Sequence, residues 1–206
     1  MLFGTNSLDD RVREILVETL YAQPSSLAIA ALTGILASLV AAWQAQQQQI
    51  TYLAIIVSLI ATSRIFMAYF LPRLIGRDSR KLETLYEIGA FSYALFIGLM
   101  AAVTVHLKSP PDVQMLMVCN AVGYAAAIAA RNAGRLVIAI GQVVLSLGPI
   151  CFVLVHQESP ALLALAFSVF ALLPAMVLIA LKVFRTLRNS IAAAETSARL
   201  AERMQV

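Results

Sequence analysis

Charged residues are scarce in this sequence: Asp, Glu, Lys and Arg make up 13% of its 206 residues, against 61% that are apolar. Soluble domains carry about 25% charged and about 45–50% apolar residues, so this chain has too little polar surface to cover a water-exposed globule. An ordinary soluble enzyme is excluded. Cysteine is nearly absent, with two residues, and histidine equally so; a disulfide framework is ruled out, and no Cys/His group has zinc-ligand spacing. The chain also lacks a Gly-rich phosphate loop, a His-Glu-x-x-His pair and a Gly-x-Ser-x-Gly elbow. Without those constellations no catalysis within the chain and no cofactor or metal are expected. A net charge of +4 is not concentrated in a way that implies nucleic acid.

Long apolar runs are what the sequence does have. Six stretches of about 20 residues, each rising ~1.5 Å per residue, match a hydrocarbon core of ~30 Å and use most of the chain. The runs are Leu27 to Trp43, Ile50 to Leu71, Ile88 to Leu107, Val113 to Ala130, Leu136 to Val155 and Ala161 to Leu181. Pro24 suits the first turn of the first helix, and Trp43 is an interfacial anchor at its far end. Gln44 to Gln49 is expected to be a short unfolded return, and Lys108-Ser109-Pro110-Pro111-Asp112 a proline-driven turn. The expected fold is all-α and polytopic: six transmembrane helices in three hairpins, over residues 24–181. Ahead of them, residues 1–23 carry Leu8, Val12, Ile15, Leu16 and Leu20 on one helical face, behind a capping-box-like Ser7-x-x-Asp10. This segment is expected to be an interfacial amphipathic helix and not a cleaved leader.

Basic residues fix the expected orientation. Two of the 15 Lys and Arg fall in the N-terminal segment, four follow the second run, two follow the fourth and five follow the sixth. Lys108 alone lies at the opposite end, and Arg64 lies within a run. Both termini are therefore expected in the cytoplasm, with the lipid bilayer as the main partner.

Polar residues inside the runs are the candidate sensing positions: Arg64, Asn120, Tyr124 and Gln142. Arg64 has two readings, a side chain snorkelling to the nearer headgroups or a buried polar contact. Gln142 lies at nearly the same inferred depth and is its best candidate partner, with Glu87 second. Asn120 and Tyr124, one turn apart beside Gly123, suit interhelical glue or a ligand contact. Pairs of small residues at four-residue spacing (Gly34 with Ser38, Gly98 with Ala102, Gly123 with Ala127) are expected at close helix contacts. An external site from Cys119, Cys151, His106 and His156 needs four residues on separate helices to converge; buried filler thiols and solvated histidines are the simpler expectation. Pro149 and Pro174 interrupt the fifth and sixth runs, where kinks are expected.

After Leu181 no helix breaker appears, and Phe184, Leu187, Ile191, Ala194, Ala198 and Ala201 follow 3,4 spacing. Residues 182–206 are expected to continue the last helix into the cytoplasm as a signalling helix with a short coiled-coil seam, Phe184 to Ala198 relaying a signal through a homodimer. A solvated amphipathic tail is the alternative, since alanines make a weak core.

The N-terminal amphipathic segment, Pro24 and Trp43 around the first run, Arg64, the stretch Gly123-Tyr124-Ala125-Ala126-Ala127-Ile128-Ala129-Ala130-Arg131-Asn132 and the charged closing helix together resemble the six-helix sensory region of bacterial membrane-bound cyclic-di-GMP enzymes. In that family such a region precedes PAS, GGDEF and often EAL domains, and related regions occur on histidine kinases. The resemblance implies a bacterial inner-membrane signal-input module. The diguanylate cyclase or phosphodiesterase output it implies would lie on a cytoplasmic domain outside these 206 residues, which hold no GGDEF or EAL motif. A small transporter or channel is the competing expectation, from Arg64, Asn120 and Gln142.

Overall fold

The computed structural model describes residues 24–74, 79–132 and 135–204, with side chains described for residues 25–70, 84–129, 131–132, 135–190 and 193. The amphipathic segment expected over residues 1–23 lies outside them. All-α architecture follows from the sequence pattern: among the described residues there are six helices and no strand. They are α1 Pro24–Ala45, α2 Gln48–Leu74, α3 Ser79–His106, α4 Pro111–Arg131, α5 Leu136–Val155 and α6 Pro160–Met204. Each contains a stretch long and apolar enough to cross a bilayer, so the chain is a multi-pass membrane protein.

The helices overrun the apolar sequence runs because their polar flanks keep bonding along the helix. Gln44 to Gln49 is the clearest departure from expectation. Only residues 46 and 47 separate α1 from α2, since glutamine is a good helix former and needs no apolar face to extend a helix already nucleated. Gln46 closes that turn in the left-handed region, at φ 52°. Lys108 does the same between α3 and α4, at φ 50°. The two turns are tied together: the Ser109 hydroxyl donates to the Gln47 side-chain oxygen at 2.8 Å, and Gln114 donates to the Ser109 carbonyl at 2.6 Å. This is the turn end of the bundle. The opposite, basic end carries the α2–α3 and α4–α5 connections and the departing α6.

Packing is centred on α3 and α5, the most extensive pair. Gly98 allows it, because its Cα faces the backbone oxygens of Leu145 and Ser146 on α5 with no room for a side chain. Around that pair, α1 and α2 pack together, α2 against α3, and α4 against α1, α3, α5 and α6. The expected contact at Gly98 and Ala102 is present, as is one at Gly34 and Ser38, all buried. Gly123 and Ala127 are different: both are exposed, and nothing lies within 4 Å of where a Gly123 Cβ would be. Tyr124, the next residue, takes the inward direction, about 100° around the helix from Gly123. Pro149 and Pro174 sit inside α5 and α6 without ending either.

Membrane burial is uneven. In the apolar window of α3, 56% of residues are buried, whereas in that of α6 only 11% are. Thus α6 leans on the bundle through one narrow face, including Ala166, Val169 and Ala180. It also runs unbroken for 45 residues, about 67 Å at ~1.5 Å per residue.

Candidate functional site

Arg64 is the one charged side chain buried in the bundle core, at 7% exposure among the described residues. Its stem passes close to Gly89 on α3, with Cγ 3.3 Å from where a Cβ would stand, a tight approach that the glycine eases. From there the side chain climbs one turn, and its guanidinium lies over the Tyr93 ring, 4.9 Å from the centroid. Since α3 runs from the basic end to the turn end, this direction leads away from the nearer headgroups. The snorkelling reading is therefore corrected: a large aromatic face and a gap at Gly89 draw the group inward. A desolvated cation–π contact of this type contributes about 2 kcal/mol, against an insertion cost of about 2.5–3.5 kcal/mol for arginine at a helix centre.

A chain of hydrogen bonds surrounds the cation. The Gln142 side-chain amide on α5 donates to the Tyr124 hydroxyl on α4 at 2.6 Å and to the Ala90 carbonyl on α3 at 3.3 Å. Its oxygen accepts from the Asn132 amide at 2.5 Å, and the Asn132 oxygen accepts from the Tyr86 hydroxyl at 3.1 Å. Every polar atom of Gln142 is thereby satisfied in a residue with no exposed surface. The Arg64 guanidinium reaches the same Tyr124 hydroxyl. Tyr93 packs edge-on against Tyr124 with centroids 5.2 Å apart, and its hydroxyl donates to the Ala30 carbonyl of α1 at 3.2 Å. Gly34 accommodates that hydroxyl, which fills the space a Cβ there would need.

Five helices thus meet at one polar cluster. Arg64 and Gln142, paired by depth in the sequence, do not touch; Tyr124 bridges them, because its ring spans the gap between α2 and α5. Glu87 is half-buried and forms no ion pair with Arg64. Asn120 stands apart from the cluster toward the turn end, its amide nitrogen buried and without a hydrogen-bond partner among the described residues. Arg131, ending α4, lies near enough to feel the Arg64 charge. Cys119 is exposed, Cys151 partly buried, and both are free thiols. No group of His, Cys, Asp and Glu among the described residues has metal-site geometry.

Sequence reasoning missed Tyr93, Tyr86 and Asn132. Asn132 stood out only as the end of the stretch from Gly123, and an aromatic in an apolar run gives no sign of facing a cation on the neighbouring helix. One available signal was the spacing of Tyr86, Gly89 and Tyr93, which puts two hydroxyls and a gap on one stripe of α3.

On the relay side, Phe184 and Leu187 are half-buried while Arg185, Thr186, Arg188, Asn189 and Ser190 are exposed. Backbone helix continues past Ile191, Ala194 and Ala198, whose side chains lie outside the described residues. Beside Arg64 a cavity of about 20 Å³ opens between α1, α2 and α3. A second, apolar groove of about 450 Å³ lies on the α3–α5 surface toward the turn end, beside Gly148 and Pro149. The chain matches no family model, no curated protein and no solved structure.

Proposed function

We propose that this chain is a membrane-embedded signal-input module that passes a change in the Arg64 cluster through α6 to a cytoplasmic output, with both termini on the cytoplasmic side. The observation that carries the reading is the character of α6. It is a single 45-residue helix, far longer than a bilayer requires, and its membrane part is the least buried of the six. A helix held by one narrow face can rotate or slide at small cost, and an unbroken backbone transmits that movement beyond the lipid. The 3,4 seam from Phe184 to Ala198 supplies the surface on which two copies would pair, and alanines keep that pairing weak enough to respond. The basic residues concentrated at the end from which α6 leaves support a cytoplasmic exit, and the resemblance to cyclic-di-GMP sensory regions supports a GGDEF-type output.

The reading is preferred over a transporter because Arg64, Tyr124 and Gln142 are engaged with one another across the helices, and Asn120 stands apart from them. Arg64, Tyr124 and Gln142 form helix-to-helix links, and the cavity beside Arg64 has room for one or two waters, which is no aqueous path. The test fuses residues 1–206 to a GGDEF reporter and inserts one to four residues after Leu187. Each residue turns the helix by about 100°. Relay through α6 gives output that changes most with two insertions and returns toward wild type with four. Output indifferent to all four would overturn it.

A further inference from the structure

One face of α6 serves two surroundings. Inside the bundle, Ala166, Val169 and Ala180 are buried on it, and Leu173 and Met176 pack partly buried against the same core. Phe184, Leu187, Ile191, Ala194 and Ala198 each follow one of those five residues by 18 positions, which is five turns at about 3.6 residues per turn. The helical backbone runs without a break from Pro160 to Met204, so the cytoplasmic seam keeps the phase of the stripe that packs on the bundle. Side chains at the start of the seam agree: Phe184 and Leu187 are half-buried, while residues 185, 186, 188, 189 and 190 are exposed. Phe167, Phe170 and Leu178 are exposed on the other side, the one turned to lipid. The seam therefore lies on the side of α6 where the chain's own bundle stands.

That phase limits how two copies can meet. Copies in one membrane leave it side by side, so their seams pair in parallel, with axes about 8–10 Å apart. With both α6 helices straight, each bundle would have to occupy the gap between them, because each stands on the seam side of its own α6. Room for even one further helix from each copy requires axes three interhelical spacings apart, about 24–30 Å. The gap between paired seams is about a third of that. We propose that packing of α6 on its own bundle and pairing of its seam with a second copy exclude one another: α6 as packed here withholds the seam, and a signal that frees its membrane half to turn lets two seams meet. Few contacts have to be released, since this half is held along one narrow stripe in which two of the positions are alanine. This regulation of the seam rests on the input-module reading.

The experiment uses the full chain in membranes, freed of Cys119 and Cys151, with a single cysteine placed on the seam by Ala194→Cys or away from it by Ala193→Cys, and measures the disulfide-linked dimer after brief oxidation. With no other change, little linkage at position 194 is expected. Two alanines inserted after Leu181 turn the seam by about 200°, to the side away from the bundle, and leave the packed stripe as it is; linkage is expected to rise by about fivefold or more. Four alanines bring the seam back to the bundle side and are expected to leave linkage at the level without insertion. Ala180→Leu overfills a position with no exposed surface, loosens α6 from the bundle and is expected to raise linkage as the two-residue insertion does. Ala193→Cys is expected to stay unlinked in every background. Equal linkage at position 194 with none, two and four inserted residues, or linkage at position 193 as strong as at 194, would overturn the exclusion. The assay reads proximity without any output domain: equal linkage in all three phases leaves relay through α6 to the insertions after Leu187, whereas no linkage at position 194 in any variant would overturn the exclusion together with the seam pairing of the input-module reading.

Discussion

Replacing Gly98 by alanine tests the bundle where it is tightest. A Cβ at position 98 would stand 2.5 Å from the Ser146 oxygen and 2.6 Å from the Leu145 oxygen, where ordinary contact begins at 3.4 Å. Both atoms are backbone, so no rotamer change relieves the clash. To restore ordinary contact, helices α3 and α5 must separate by about 0.9 Å, the shortfall of 2.5 Å from 3.4 Å, and overpacking on this scale costs about 1–3 kcal/mol. Gly148→Ala on α5 is the matched control. Nothing lies within 4 Å of its Cβ position, so only helix propensity changes, in favour of alanine by up to about 1 kcal/mol. Propensity contributes to both variants and cancels in the comparison. Gly98→Ala is therefore expected to be less stable than Gly148→Ala by about 1–3 kcal/mol, read by reversible unfolding in mixed micelles under identical conditions. Equal stabilities within about 0.3 kcal/mol, a tenth to a third of that difference, would refute the α3–α5 geometry.

Three further substitutions probe the cluster and the turns. Gln142→Leu leaves Asn132 and Tyr124 without their buried partner and is expected to destabilise by about 1–3 kcal/mol in the same assay; no loss would mean that the polar chain contributes nothing. Gly34→Ala is expected to be costly in the wild type and much milder in a Tyr93→Phe background, where the hydroxyl that occupies that space is gone; a double-mutant cycle should give a coupling of about 0.5–3 kcal/mol, and additivity would contradict the contact. Lys108→Gly is expected to stabilise by about 0.5–1 kcal/mol and Lys108→Val to destabilise, because residue 108 holds a positive φ that glycine adopts freely and a β-branched residue resists; the reverse order of melting temperatures would contradict the turn.

The helices were legible because hydrocarbon length is a physical ruler: a run of about 20 apolar residues has few other uses. Arg64 stood out for the matching reason, as a charge where lipid excludes one. The direction of its side chain was not legible, since that depends on a gap at Gly89 and a ring at Tyr93, both on another helix. Depth placed Gln142 level with Arg64, but depth says nothing about rotation around α5, and it is Tyr124 that spans the space between them. Gly123 and Ala127 show the same limit. Four-residue spacing identifies a stripe on a helix, whereas only the neighbours decide whether that stripe meets protein or lipid. Glutamine's chemistry explains the remaining difference, because a polar run between two helices reads as a loop even when most of it prolongs both.

Side-by-side accessibility of the two ends of the bundle tests the whole account most directly. In a chain freed of Cys119 and Cys151, single cysteines at Gln46, Lys108 and Glu158 sample the turn end, and one at Asn189 samples α6 beyond the lipid. A membrane-impermeant maleimide added to intact cells is predicted to label the first three and to reach position 189 only after permeabilisation. Labelling of position 189 in intact cells, or protection of any one of the other three, would contradict it.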